Sequence, residues 1–321
     1  MKKKYITTYF YHDCKDQGAS YGNIFLPLGR RNIIYWQTVY TLFFSSIVEN
    51  KNSGVSYALF TNVATFPFRD SIEELGVKVY DDLSLTTRNP GKWATVNFFF
   101  DVIEFIGIHN DFDDDDAFIM LDTDVVALRN ATPLFDYLEA SKNAIAHVFD
   151  ELSGKVRDFH GINISKLERI GLSAFGLHIN IKSLIGGEFF CFNKYQICEL
   201  TSYFRVFNNP IYSSQITTEE QILTIINAQK PWAVYHGAIY RVWTTLSVFK
   251  LPEKNKNYLF LHLPSEKEAG LHRLFNATID LDPLKMSEID FHILFYRCTH
   301  LHKPHYIYLS KIVNKFFLLF R

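Results

Sequence analysis

Two aspartates one residue apart, Asp122 and Asp124, close the apolar run Phe118-Ile-Met-Leu. Side chains alternate along a strand, so both carboxylates leave its end on the same side. Two oxygen ligands held together in this way suit a hard divalent cation, Mg²⁺ or Mn²⁺, which keeps waters and substrate oxygens in its other positions. Asp124 is expected to bind the ion directly, and Asp122 to bind the ion, a ribose, or both. The structural alternative is a pair of aspartates capping the next turn.

Such a pair works only if the run before it is a buried strand that ends at a sheet edge. Open α/β sheets take their ligands at the carboxyl edge. Residues 5–11, Val55–Thr61, Val77–Tyr80 and Ala117–Leu121 read as strands, with helices expected over 32–48, 68–75 and 93–106. That alternation implies right-handed βαβ units and a doubly wound, mostly parallel α/β sheet. Residues 1–125 are therefore expected to form a nucleotide-binding half. Beyond Asp124, strands are expected over 144–149, 186–193 and 258–262 and helices over 200–207 and 219–228, with 150–180 a mobile loop carrying short helices. Residues 126–270 would be an acceptor half fused tightly to the first, and 271–321 a helical tail.

The segment Phe118-Ile-Met-Leu-Asp-Thr-Asp-Val-Val resembles the Asp-x-Asp signature of glycosyltransferases with the GT-A fold. It is most similar to that of the family 8 enzymes, which include glycogenin and the bacterial lipooligosaccharide galactosyltransferases. The resemblance implies a nucleotide-sugar donor, most simply a UDP-sugar, and Mn²⁺ or Mg²⁺ shielding the departing diphosphate. It further implies that His262 in Leu261-His-Leu-Pro-Ser-Glu-Lys267 completes the metal site and that Lys267 touches the diphosphate. The Gly and Pro-Trp that surround this lysine in the family are absent. A neutral imidazole is independently a good third ligand, and a lysine a good point charge for phosphate.

By the same resemblance, Gly186-Gly-Glu188-Phe-Phe is a strand facing the acceptor. Its glycines would admit close backbone approach, and Glu188 would bind a sugar hydroxyl or act as base. Glu219 and Glu220 in Thr217-Thr-Glu-Glu-Gln would lie near the anomeric carbon; alternatively Thr217 and Glu220 form a capping box. Lys92, upstream of the Asp-x-Asp strand, would contact the diphosphate or stand exposed at a helix start. Thr7, Thr8 and Tyr9 would lie where the nucleobase and ribose sit, with Tyr9 stacking on a base or packing in the core. Trp232, Tyr235, Tyr240 and Trp243 around Arg241 would form a sugar-stacking wall or core.

Two other readings compete. An apolar strand ending in Asp-x-Asp also fits a haloacid-dehalogenase-like phosphatase with Asp122 as nucleophile. That superfamily opens with the motif, whereas three strand–helix units precede it here and no Gly-Asp motif follows. A non-catalytic carbohydrate-binding protein is the second.

A formal net charge of −1 gives no general pull towards nucleic acid. Four scattered cysteines without a Cys-x-x-Cys pair argue against a structural zinc site or a disulfide framework. The basic start has too short an apolar stretch for a signal peptide, so a cytoplasmic protein is expected. From Phe291 to Arg321 there is no Asp or Glu, yet there are five Lys/Arg and eight Phe/Tyr. Tyr306, Leu309, Ile312, Val313, Phe316, Phe317 and Phe320 share one helical face. That is the pattern of an interfacial helix, or of a terminal helix docked on the core. The first option implies a peripheral position on the cytoplasmic membrane and a lipid-linked saccharide acceptor.

Overall fold

The computed structural model describes residues 2–13, 27–86, 95–152, 158–245, 249–252, 256–299 and 301. Strand β1 (Lys4–Phe10), helix α1 (Leu28–Asn50), β2 (Val55–Thr61), α2 (Arg69–Glu74), β3 (Val77–Tyr80), α3 (Phe98–Ile108) and β4 (Ala117–Leu121) alternate through the first half. There follow β5 (Val125–Ala127), α4 (Thr132–Ser141), β6 (Ile145–Glu151), the hairpin β7 (Asp158–Phe159) and β8 (Ile162–Asn163), α5 (Ile164–Phe175) and β9 (Ser183–Asn193). Then come α6 (Lys194–Val206), α7 (Pro210–Ser213), α8 (Glu219–Gln229), β10 (Ile239–Arg241), β11 (Trp243–Thr244), β12 (Phe249–Lys250) and β13 (Phe260–His262). A π-helical turn (Lys267–Leu271), α9 (His272–Thr278) and α10 (Glu288–Thr299) complete the described chain.

The central sheet has the order β3-β2-β1-β4-β9-β6. Strands β1 to β4 are parallel, β9 runs against both of its neighbours, and β6 is thereby aligned with the rest. This is the expected mostly parallel α/β sheet. Alternation along the strands sends Ile6, Ile119 and Leu121 into a layer shared with α1, α4, α9 and α10. Tyr5, Phe118 and Met120 enter the opposite layer, with α3, α5, α6 and α8. All five residues of β4 are buried, so the strand that carries the aspartates is anchored from both faces.

Several local expectations change. Between Gly29 and Gly54 the chain has neither Gly nor Pro, and α1 runs through to Asn50. The stretch 150–180 contains a full helix, α5. Its start is capped by the Asn163 side chain, which accepts from Ser165 N at 2.9 Å, and Gly176 ends it at φ +70°. Both signals are in the sequence, but the irregular stretch ahead of them hides the helix. Helix α6 begins at once after β9, where Gln196 Oε1 accepts from Asn193 N at 2.9 Å, and buried Lys194 anchors its start on the carbonyls of His109 (3.0 Å) and Phe112 (2.6 Å). At the C-terminal side, Leu274, Phe275, Phe291 and Phe295 are buried in the same core layer as α1. Residues 271–299 thus pack as part of the body; the aromatic face over 306–320 lies outside the described residues.

Candidate metal centre and carboxylate cleft

The Asp-x-Asp turn is built by the ends of three strands. Asp122 N donates to Glu188 O at 3.1 Å, one rung beyond β4, and Asp122 O accepts from Val125 N at 3.3 Å. The chain turns there into β5, which pairs antiparallel with β13 so that Val125 faces His262. Leu263 N donates to Asp124 O at 2.9 Å and locks this register. Ligand atoms of Asp122, Asp124 and His262 consequently lie within 4.8 Å of one another.

His262 Nε2 stands 3.3 Å from Asp124 Oδ1 and 3.6 Å from Asp122 Oδ2. Lys267, from the π-helical turn, pairs with Asp124 Oδ2. Asp124 Oδ1 is buried without a hydrogen-bond partner among the described residues. Burial opposes ionisation of Asp124, but the charges of Lys267 and His262 hold it far below the usual carboxylate range. Asp122 keeps 39% of its side chain open. Desolvation in the cleft and the neighbouring Asp124 charge push it up to about 6. Burial would lower His262, yet the Asp124 charge raises it to about 9. Two carboxylates and one imidazole nitrogen, with Asp124 Oδ1 buried and not hydrogen-bonded, fit a divalent cation, the nitrogen favouring Mn²⁺ over Mg²⁺.

A second charged group adjoins the first. Glu188 on β9 is fully buried and faces His262 Nδ1 at 3.7 Å. Its Oε1 takes His147 Nδ1 at 2.8 Å and Arg241 Nε at 2.8 Å, and its Oε2 pairs with Arg241 Nη2. The same Nη2 reaches Glu220 Oε1 at 2.5 Å, which also accepts from Gly187 N at 3.1 Å. His160 binds the other oxygen of Glu220. Against the cost of burial, Arg241 and then His147 hold Glu188 well below its ordinary value. Arg241 and His160 likewise bring Glu220 down to about 2. Glu219 moves the other way: burial, then the charge of Glu220, raise it well above the ordinary carboxylate range.

Both groups open onto one cleft of about 360 Å³, lined among others by Tyr9, Tyr11, Tyr35, Asp122, Glu219, Trp243 and Lys267. A larger hollow of about 700 Å³ opens at the amino edge of β1 to β3, where Lys78 is already paired with Asp111 and Lys51 with the Met286 carbonyl. Asp122, His262, Lys267, Glu219, Glu220 and Arg241 line the smaller cleft.

The structure revises several expected roles. Thr7 and Thr8 are fully buried, and their hydroxyls donate to Ile119 O (3.2 Å) and Leu121 O (2.8 Å). They tie β1 to β4 and do not reach the cleft. Tyr9 does line it, packed edge-on against Phe99 at 5.6 Å. Glu188 has no exposed side-chain surface and is fully engaged, so it does not touch an acceptor directly. The helix cap over 217–221 is made by Gln221, whose Oε1 accepts from Thr217 N (2.8 Å) and Thr218 N (3.3 Å). Glu220 is thereby released from the expected capping box. Of the four aromatics around Arg241, only Trp243 lines the cleft. Trp232 packs on Phe190, Tyr235 on Tyr137, and the Tyr240 hydroxyl donates to Leu251 O. Lys92 lies outside the described residues.

Sequence reasoning missed His147, His160 and the bridging role of Arg241. For His160 a signal existed: His-Gly at a hairpin, with φ of +52° and +81°. Such left-handed geometry in a residue other than glycine recurs at functional sites.

No protein-family model matches the chain, and no curated protein matches it. Among solved structures it is similar to WbbM, a bifunctional glycosyltransferase, at 11% identity over 91% of this chain and 52% of that one, with a TM-score of 0.55. The chain thus spans about half the length of WbbM. Mouse xyloside xylosyltransferase 1 overlaps at a TM-score of 0.49, with 11% identity over 81% of this chain and 97% of that one. GlyE of Streptococcus pneumoniae TIGR4 overlaps at 0.47, with 14% identity over 93% and 64%. At this level of identity the likeness to WbbM speaks for a shared fold. The sheet order and this likeness agree with the GT-A architecture.

Proposed function

We propose that this protein is a metal-dependent glycosyltransferase of the family 8 type, moving a hexose from a nucleoside-diphosphate sugar, most simply a UDP-sugar, to a saccharide acceptor. The observation that carries this reading is the convergence of Asp122, Asp124 and His262 within 4.8 Å at the carboxyl edge of the sheet. The buried Asp124 oxygen that faces His262 Nε2 without a hydrogen bond supports it. Asp122, Asp124 and His262 would hold Mn²⁺ or Mg²⁺. When bound, the ion supplies Lewis-acid neutralisation of charge on the departing diphosphate. Lys267 adds a point charge on the same wall. Tyr9, Tyr11 and Trp243 offer ring faces against which a base or a pyranose packs. Of the two neighbouring carboxyls, Glu219 suits sugar hydroxyls and proton transfer, while Glu220 is held by Arg241 and His160.

The basic, aromatic sequence of 302–321 favours a lipid-linked acceptor, as in bacterial surface polysaccharide or lipopolysaccharide assembly, with the enzyme peripheral on a membrane. No helix among the described residues is long and apolar enough to cross a membrane. Removal of 302–321 is expected to abolish sedimentation with anionic liposomes; unchanged sedimentation would remove the lipid part of the reading.

Calorimetry of UDP and a panel of UDP-sugars, with and without Mn²⁺, tests the central claim. Binding should require Mn²⁺ and weaken in Asp124→Ala by more than the roughly 10–100-fold typical of losing an outer partner of a metal ligand. Metal-independent binding, or full binding in a folded Asp124→Ala protein, would refute it.

A further inference from the structure

Three glutamates crowd the cleft beside the metal centre, and their surroundings differ sharply. Glu188 receives His147 and both arms of the Arg241 fork. Glu220 receives Arg241, His160 and Gly187 N. Glu219, the first residue of α8, lines the cleft and has no ion pair among the described residues. It folds over the backbone of Gly187, where an added methyl would overlap its carboxylate. A methyl at Gly186 would instead overlap the Glu188 carboxylate and crowd Arg241. The glycine pair therefore admits two carboxylates against β9, one on each residue. Arg241 is held flat by Phe149, whose ring centroid lies 4.7 Å from the guanidinium carbon. A planar fork in a fixed plane can grip one carboxylate with two parallel N–H groups while reaching a second, a geometry that the point charge of a lysine does not fix.

We propose that Arg241 is a positioning residue that holds Glu188, behind the cleft, and Glu220, on its wall, in ion pairs and leaves Glu219 as the carboxyl offered to a sugar hydroxyl. The inference rests on the glycosyltransferase reading for its substrate class and deepens it by naming the group that meets the sugar. Its geometric part stands without that reading. The raised proton affinity of Glu219 agrees with a group left out of the ion pairs. The hydroxyl belongs either to the transferred glycosyl group or to the acceptor. Both present the same chemistry, and donor hydrolysis measured without acceptor separates them.

The first test needs no substrate. The full chain is treated with a water-soluble carbodiimide and glycine ethyl ester and then mapped by mass spectrometry. Glu219 should be modified while Glu188 and Glu220 are spared; in Arg241→Lys, Glu220 should become modified too. Preferential modification of Glu188 or Glu220 in the unaltered chain would overturn the proposal. The second test is a double-mutant cycle on turnover with UDP-glucose or UDP-galactose and Mn²⁺. Glu219→Gln and Gly187→Ala, which moves the carboxylate without removing it, should each lower turnover on the order of 10²-fold. Binding of UDP with Mn²⁺ should stay within about twofold in both, as expected where an interaction made in the transition state alone is lost. Arg241→Lys should lower turnover in the unaltered background and have no further effect in Glu219→Gln. Equal losses in both backgrounds would show that Arg241 acts elsewhere. A chain that binds no UDP with Mn²⁺ would defeat the glycosyltransferase reading, while the labelling pattern would still decide this one.

Discussion

The two charged groups on the cleft solve the same problem in opposite ways. At the Asp124 end, one buried carboxylate is balanced by Lys267 and His262, and one of its oxygens is left without a hydrogen bond. At the Glu188 end, both oxygens of Glu188 and both of Glu220 are taken up by Arg241, His147, His160 or Gly187 N. The first group is open to a cation and the second is closed. Buried anions demand countercharge. Where the countercharge comes from a flexible lysine and a titratable imidazole, it can be exchanged for a metal. Where it comes from a guanidinium fork, it is part of the fold.

This contrast makes its largest prediction for stability. Arg241→Met should destabilise the protein by about 3–5 kcal/mol, because two buried carboxylates lose their shared partner. Urea denaturation should give the same loss with and without Mn²⁺. Recovery by Mn²⁺ would mean that the two groups are not distinct. Lys267→Met should also destabilise, but here Mn²⁺ should restore stability. At a hundredfold excess over its Kd the ion contributes about 2.7 kcal/mol. A melting temperature that ignores Mn²⁺ in both the variant and the parent would show the Asp124 end to be closed as well.

Smaller effects sharpen the boundary of the cleft. Thr8→Val removes the hydrogen bond to Leu121 O and should cost about 1 kcal/mol while leaving UDP affinity unchanged. Weakened nucleotide binding would return Thr8 to the site. Far from the cleft, His292 Nε2 meets Glu49 Oε1 at 2.9 Å and ties α10 to α1. The hydrogen bond to Glu49 raises the His292 pKa above its ordinary value despite partial burial. A raised histidine stabilises the fold fully below its unfolded value and loses that contribution as pH rises through its folded value. His292→Gln should therefore flatten a modest decline in stability as pH rises above the ordinary histidine value of about 6.5. An identical slope in the variant would place the decline in other groups.

Much of the frame was legible from local signals. Val55–Thr61, Val77–Tyr80 and Ala117–Leu121 appear where their apolar runs predict, since a run buried on both faces has few alternatives. Asp122 and Asp124 stand at the end of the strand that the alternating pattern places at the ligand edge. Helix α5 is longer than the short helices expected within 150–180, although Asn163 and Gly176 mark its ends, and α4 was missed although Pro133 stands in its first turn. Their apolar faces are short and follow irregular chain.

The sequence by itself determined the α/β class, the strand that presents the aspartates, and which residue types were available for a cation. Only the tertiary structure decided which of those residues meet. His262 reaches Asp124 through the antiparallel register of β13 on β5, and Arg241 reaches Glu188 and Glu220 from β10. Thr8 was removed from the site by its hydroxyl turning to Leu121 O, and Glu219 was set apart because Arg241 had bound its neighbours. Strand and helix follow from periodicity within a few residues, whereas a buried charge finds its partner 21 to 143 residues away along the chain, and only closure of the fold selects that partner.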